Sequence, residues 1–221
     1  MEKLVFSKIS KADLRRFVSL EEQGIQDYPW LDTDSVSLES DDVQQLRYVQ
    51  SHLLNYDTHL MNEATIWARG IYPFLLLAEE GLIQAWAEVP VQTQYTEFEL
   101  EGVLDGVLAK CVSGFVEVPY LVVVEAKKGL ESQNPVYQLY SQLLAIARLN
   151  WETNQQISQE VYGCYTIADV WKFVRAEVNN IDSKNIAMKV ESSREYSAKT
   201  EGEIILKILK KIIHNYVLES I

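Results

Sequence analysis

The sequence has few of the residues from which most metal centres and disulfides are built. It contains two cysteines and three histidines among 221 residues. Cys111 and Cys164 lie far apart and have no ligand spacing, so we expect two reduced thiols in the core rather than a disulfide or a zinc site. His52, His59 and His214 are too scattered for a histidine metal centre. No GxxxxGKS motif occurs, which argues against a P-loop ATPase.

Long hydrophobic runs and positive charge are scarce as well. The longest apolar runs, such as residues 71–78, are too short to span a bilayer, and the N-terminus does not resemble a charged-then-apolar leader. We therefore expect a soluble, cytoplasmic protein with no membrane partner. Lys and Arg number 20 against 32 Asp and Glu, a formal charge of -12. This balance argues against a broad positive surface for nucleic acid, so any such contact must be local.

The acidic residues are concentrated near the N-terminus. We interpret residues 1–40 as an acidic N-terminal extension with a short helix over 13–22, and residues 41–221 as the main domain, because the length suits one sizeable core. A cluster of carboxylates is either a solvated face or a site for divalent cations. The extension could also be a docking segment for a protein partner.

One apolar stripe contains a single charged residue. From Ser40 a long helix is predicted, because side chains recur at alternating intervals of three and four. The stripe consists of Leu46, Val49, Leu53, Tyr56, Leu60, Glu63 and Trp67. Glu63 is its only carboxylate, and two explanations stay open: it faces a functional site, or it forms an ion pair with an arginine such as Arg69.

The rest of the chain alternates between strand and helix patterns. Strands are predicted over 83–93, 98–110 and 121–127 and twice within 161–178, and helices are predicted to begin at Asn134 and Thr200. Strand periodicity predicts that Glu99, Glu101 and Asp105 share one face. The element order is therefore helix, three strands, helix, two strands, helix, which indicates an α/β (α+β) fold.

The stretch LVVVEAK places charge at the end of a core strand. If the strands 98–110 and 121–127 are neighbours, Asp105 and Glu125 form an oxygen site suited to Mg²⁺ or Mn²⁺. Lys127 lies about 7 Å further along the face of Glu125. Its ammonium could steer a metal-bound water and offset charge that develops on a phosphate. The alternative for each residue is an ordinary solvated strand end.

Asp105 followed by Glu125-Ala126-Lys127 resembles the core of the PD-(D/E)xK nuclease superfamily, which has the restriction-endonuclease-like fold. The resemblance covers about residues 42–178 and is strongest to the nuclease domain of type I restriction enzyme motor subunits. It extends over the stretches 62–81, 142–150 and 162–177, the last with Thr166, Trp171 and Phe173 in place. The sequence departs from the family pattern at Leu104, Gly106 and Ile146.

The resemblance implies a mixed central sheet flanked by helices, in the order αβββαββ plus a C-terminal helix. It implies that Asp105, Glu125, the carbonyl of Ala126 and Glu63 bind the metal. Lys127 would be the catalytic lysine, with Gln142 and Gln138 orienting water or lysine near the scissile phosphate.

The function implied is that of a metal-dependent phosphodiesterase, a DNA endonuclease that uses Mg²⁺ or Mn²⁺ to activate a water against a backbone phosphate. DNA would be contacted locally at the cleft, and a protein partner or a homodimer is a further expectation. The alternative function is a non-catalytic binding or regulatory module that keeps the nuclease fold and acts through a protein partner.

Overall fold

Eight strands form one curled, mixed sheet in the computed structural model, which describes residues 1–128 and 134–219. The strands are β1 (Glu2–Val5), β2 (Val18–Ile25), β3 (Ile83–Gln94), β4 (Phe98–Val112), β5 (Phe115–Lys127), β6 (Ser158–Ile167), β7 (Val170–Asn179) and β8 (Ile186–Ser197). Their order is β1-β4-β5-β6-β7-β8-β2, and β3 pairs with β4 beside this path. β1 and β2, which come from the predicted extension, therefore form the two ends of the sheet.

Helices cover both faces of this sheet. They are α1 (Lys11–Phe17), α2 (Ser40–Leu54), α3 (Glu63–Ile66), α4 (Tyr72–Leu77), α5 (Val136–Asn154) and α6 (Gly202–Glu219), and a π-helical turn over Trp67–Ile71 joins α3 to α4. α2, α4 and α6 share a core with one face. α5 packs on the other face together with Phe6, Leu14 and Val18 of the N-terminal segment. Every residue of α5 from 139 to 147 is buried, as expected for a helix enclosed on all sides.

The predicted order is correct for β3, β4, β5, α5, β6, β7 and α6, and wrong at β1, β2, β8 and the helix after residue 40. Three strands rather than two follow α5, because β8 was not predicted. β1 was also not predicted, and the predicted helix over 13–22 is wrong in its second half, where β2 begins at Val18. β2 and β8 pair with each other in parallel. That long-range pairing overrides the local helix preference of the two glutamates in β2.

The prediction of one long helix after residue 40 is also wrong. α2 ends at Leu54, and a second N-cap begins α3, where the Asn62 side chain accepts a hydrogen bond from the Thr65 N–H. Between the two helices, Thr58 is fully buried and donates a hydrogen bond to Asp169, which holds the connection in place. Glu63 is consequently the first residue of α3 and is exposed, not part of a continuous apolar stripe.

Two strands pair with different parts of one edge of β4 and leave a gap between them, which we call the fork. β3 pairs with β4 over 99–110, so β1 and β5 must share the opposite edge. On that edge β1 pairs with residues 98–101 and β5 pairs with residues 106–112. Within the described part of the chain, residues 102–105 thus have no strand partner on this edge. Asp105 lies in the opening of the fork.

The inward and outward alternation of β3 and β4 reverses beside this fork. Leu104 and Val107 are an odd number of positions apart, so a regular strand would place them on opposite faces. Both nevertheless lie in the core around α5. Ala85 and Val89 are an even number of positions apart, so a regular strand would place them on the same face. They nevertheless lie in the cores on opposite faces of the sheet. The prediction that Asp105 shares a face with the glutamates at 99 and 101 assumed a regular alternation, which does not continue between Leu104 and Val107. Gly106 is needed at the reversal, because a Cβ there would overlap the indole of Trp67.

Candidate active site

The end of β5 places Glu125 and Lys127 beside α5. β5 pairs with β4 on one side and with β6 in parallel on the other. Its residues 122–124 are fully buried, as is typical of a central strand covered on both faces. Glu125 has 0% exposure, and the Lys127 side chain is 20% exposed. The buried strand β5 therefore holds a carboxylate in the interior and an ammonium near the surface.

Asp105 reaches the same strand end from the fork. Its Oδ2 accepts a hydrogen bond of 2.8 Å from the backbone N–H of Ala126. The last backbone pair of the two strands joins Gly106 to Val124, so the Asp105 side chain continues the contact beyond the ladder. The structure therefore brings Asp105, Glu125 and Ala126 together, as the sequence predicted.

Glu125 has polar partners on both oxygens, but only one makes a hydrogen bond. Its Oε2 accepts a bond of 2.6 Å from Nε2 of Gln142. Its Oε1 forms an ion pair with Nζ of Lys127, yet it has no hydrogen bond of proper geometry. Oε1 of Gln142 is also buried without a partner. Buried polar atoms are rarely left unsatisfied, so the Gln142 oxygen points to a ligand or a water at the strand end, whereas the Glu125 oxygen already has Lys127 as its partner.

Electrostatics favour a cation between the two acids. Burial and the neighbouring Asp105 raise the pKa of Glu125 to about 7, against the opposing effects of Lys127 and Gln142. Burial raises the pKa of Asp105, whereas the Ala126 N–H and Lys127 oppose the shift. Burial alone would lower the pKa of Lys127, but the acids around it raise it. A nearby cation stabilises the charged forms of such carboxylates, and Lys127 already acts on both acids in this way.

The donor set fits a hard divalent cation. Carboxylate and carbonyl oxygens are the ligands of Mg²⁺, which is commonly held by one or two carboxylates and keeps several waters. Asp105 and Glu125 supply the carboxylates, and Ala126 supplies a main-chain carbonyl. Among residues 1–128 and 134–219, no group of three or more His, Cys, Asp and Glu side chains is close enough to hold a metal. Glu63 is therefore not a direct third ligand in this arrangement.

Glu63 nevertheless lies within electrostatic reach of the site. It raises the pKa values of both Asp105 and Lys127. In the part of the chain that the structure describes, Glu63 forms no ion pair with Arg69, which was the alternative explanation. The Arg69 guanidinium lies 5.1 Å from the ring centroid of Tyr56. The predicted role of Glu63 at the metal stays a prediction, and the continuous stripe from which its position was predicted is wrong.

The two predicted glutamines differ in their contacts. Gln142 is fully buried and bonds Glu125, which is a position suited to orienting that carboxylate. Gln138 lies one turn earlier on α5 and is half-buried. Its backbone carbonyl accepts a hydrogen bond from Ser141. Of the two, only Gln142 hydrogen-bonds an acidic residue of the site in the part of the chain that the structure describes.

Glu88 was not predicted and also acts on the site. It raises the pKa of Asp105. In the sequence it occupies an ordinary outward position of an alternating strand, and no pattern in that strand distinguishes it. Its proximity depends on how β3 pairs with β4.

The raised pKa of Glu125 predicts how stability depends on pH without a divalent cation. The folded-state pKa is about 7 against an ordinary value of 4.5. A raised acid pKa contributes stability that is complete below the ordinary value and is lost as pH rises through the folded value. The melting temperature in chelator should therefore fall more between pH 6 and pH 8 in the wild type than in Glu125→Gln. Equal slopes in a thermal melt would contradict the assignment of a buried titrating acid.

No protein-family model and no curated protein matches the chain. In the described residues, no helix is both long and apolar enough to cross a bilayer. The function proposed below therefore depends on the chemistry of Asp105, Glu125 and Lys127.

Proposed function

We propose that the protein is a nuclease that depends on Mg²⁺ or Mn²⁺ and hydrolyses phosphodiester bonds in DNA. The observation that carries this proposal is the fully buried Glu125 carboxylate, which is paired with Lys127 and lies next to Asp105 at one strand end. A restriction-endonuclease-like core is part of the proposal. It is supported by the order of β3, β4, β5, α5 and β6, and by the parallel pairing of β5 with β6.

Each residue has a distinct role in this proposal. Asp105, Glu125 and the carbonyl of Ala126 would hold the cation, and Gln142 orients Glu125 through its hydrogen bond. A bound divalent cation supplies Lewis-acid stabilisation of phosphate charge and makes water a better nucleophile at neutral pH. Lys127 places an ammonium where negative charge would develop on the phosphate.

The reaction is an ordinary hydrolysis. The oxygen of water forms a bond to phosphorus, and the bond from phosphorus to the leaving oxygen breaks. The proton that water loses is balanced by the proton that the leaving oxygen takes up. Lys127 and the two carboxylates change neither oxidation state nor covalent bonding in this step.

The acidic character of the chain restricts where nucleic acid could bind. The formal charge is -12, and phosphate binding needs cationic contacts. Asp105, Glu125 and Glu63 act on the ammonium of Lys127, and Glu88 adds a further negative charge near Asp105. Without a cation this region repels phosphate, so a divalent ion would be needed for substrate binding as well as for chemistry.

The test is a panel of substrates. Purified protein is incubated with supercoiled plasmid, linear duplex, single-stranded DNA and RNA, each with Mg²⁺, with Mn²⁺ and with chelator. We expect cleavage of at least one DNA substrate that requires the divalent ion. Cleavage that survives in chelator, or cleavage of RNA alone, would contradict the proposal, and no cleavage of any substrate would favour the non-catalytic module.

A further inference from the structure

Two arginines of the chain are not neutralised by a carboxylate. Five of the seven arginines form ion pairs with Glu or Asp side chains, namely Arg15, Arg16, Arg148, Arg175 and Arg194. Arg47 of α2 and Arg69 of the π-helical turn form none with any residue that the structure describes, and both are exposed. A guanidinium binds phosphate through paired donors. These two side chains can therefore bind an anionic partner without first giving up an ion pair.

The segment around these arginines has few acids for so acidic a chain. Residues 44–69 contain two carboxylates, those of Asp57 and Glu63, which is about half the density of the chain as a whole, where Asp and Glu are 32 of 221 residues. Two of the three histidines, His52 and His59, also lie in this segment. An excess of carboxylates opposes contact with phosphate, and this part of the surface lacks that excess.

Exposed aromatic rings lie beside both arginines. Tyr48 follows Arg47 and is 68% exposed, and its ring meets the imidazole of His52 edge-on, with centroids 4.5 Å apart. Tyr56 is 44% exposed, and the Arg69 guanidinium lies 5.1 Å from its ring centroid. Exposed rings next to cations are the means by which proteins bind unpaired bases and the phosphates between them. We call these five residues the aromatic–arginine surface.

The aromatic–arginine surface begins beside the candidate active site. Arg69 lies two residues after Trp67 in the π-helical turn. The indole of Trp67 occupies the space next to Gly106, and Gly106 directly follows Asp105 in β4. A strand bound on this surface would therefore have one end close to the acidic residues of the site.

We propose that the aromatic–arginine surface binds single-stranded DNA and leads it to the candidate active site. Tyrosine rings stack only on bases whose faces are accessible, as they are in a single strand, and the two arginines bind phosphates. At about 1.5 Å per helical residue the two tyrosines are about 12 Å apart, a length that suits about three nucleotides at about 3.4 Å each. The inference names the DNA strand that the proposed nuclease would use, and it rests on the proposed function for what happens to that strand once bound.

The test measures DNA binding without cleavage. A fluorescently labelled oligothymidylate of about 12 nucleotides, within the range of known single-strand sites, is titrated with protein in chelator, and anisotropy is recorded at several salt concentrations. Arg47→Gln combined with Arg69→Gln should bind at least about ten-fold more weakly. Its slope of log affinity against log salt should be smaller by about 1.4, since two phosphate contacts are lost. Tyr48→Ala should bind about five-fold more weakly, because one base loses its stacking partner.

Arg194→Gln is the matched control for the arginine variant. The Arg194 guanidinium also lies over a tyrosine, 4.0 Å from the ring centroid of Tyr196, but it forms an ion pair with Glu201. This variant should therefore bind the oligonucleotide as the wild type does. Arg47, Tyr48 and Arg69 are all exposed, so their variants should fold, and melting temperatures check this. A duplex of the same length should bind the wild type at least about ten-fold more weakly than the single strand.

The outcomes separate this inference from the proposed function. If the wild type cleaves DNA with Mg²⁺ but does not bind the oligonucleotide, or if the arginine and tyrosine variants bind it as tightly as the wild type, the inference is overturned and the proposed function stands. Equal affinity for the duplex would overturn the assignment to a single strand. If the oligonucleotide binds through these residues as predicted and no substrate is cleaved, the binding surface stands and the proposed function fails.

Discussion

Glu125→Gln is expected to abolish cleavage and, at the same time, to stabilise the cation-free protein at pH 8. Glu125 is fully buried, and its pKa is raised to about 7, so at pH 8 the fold contains a charge that burial disfavours. Glutamine has nearly the same shape and can still accept a hydrogen bond from Gln142. Loss of a metal-binding carboxylate should lower the rate at least about a thousand-fold. The measurements are the nicking rate with Mg²⁺ and the melting temperature in chelator.

Glu191→Gln is the matched control for this prediction. Glu191 is also buried, but it pairs with Arg175 and accepts a hydrogen bond from the indole of Trp30. Removing its charge leaves Arg175 with fewer anionic partners, so this variant should lose stability and keep its cleavage rate. Retained cleavage in Glu125→Gln would remove Glu125 from the chemistry. A lower melting temperature in Glu125→Gln would mean that the fold needs its charge.

Lys127→Met is expected to lose cleavage and to change stability in the opposite direction. The Nζ atom forms an ion pair with the buried Oε1 of Glu125, so its removal leaves a buried carboxylate without that countercharge. A loss of about 3 kcal/mol or more is typical of a broken buried pair, and the cleavage rate should fall about 10²- to 10³-fold. Mn²⁺ affinity should hold or rise, because a cation next to the ion is gone. Melting in chelator, calorimetry and nicking assays measure the three effects.

A double variant and a control sharpen this second prediction. In Lys127→Met combined with Glu125→Gln, neither charge is present, so most of the lost stability should return. Lys110→Met removes a lysine that pairs with Glu117 far from the site and should change none of the three measurements. A large loss of Mn²⁺ affinity in Lys127→Met would show that Lys127 supports the shape of the site, which contradicts the role proposed for it.

The residues that meet at the strand end could be predicted because their pattern is local. An apolar run that ends in Glu125 and Lys127 identifies a buried strand, and the spacing to Asp105 suits an adjacent strand joined by a short turn. Both strands and their contact are present. The Gln142 contact could be anticipated only from the resemblance, because an amide on a helix carries no signal of its own partner.

The remaining features depend on contacts between distant parts of the chain. β2 pairs with β8, which lies near the other end of the sequence and also pairs with β7. Both β2 and β8 contain charged residues, so neither has a clear strand pattern of its own. The apolar periodicity of α2 continues in the sequence through Tyr56 and Leu60. Both side chains are exposed, so the pattern there does not mark a buried helix face. Glu88 comes close to Asp105 because two strands reverse their alternation together, and one strand read by itself does not show this.

The nicking rate of supercoiled plasmid by the wild type and by Asp105→Asn tests the central claim most directly. Asp105 is not fully buried and its change to asparagine keeps the side-chain shape, so the variant should fold. We predict nicking by the wild type that stops in chelator and resumes when excess Mn²⁺ is added, and a rate at least about a hundred-fold lower in Asp105→Asn. Equal rates for the two proteins, or nicking by the wild type that continues in chelator, would contradict a metal-dependent nuclease built on Asp105 and Glu125.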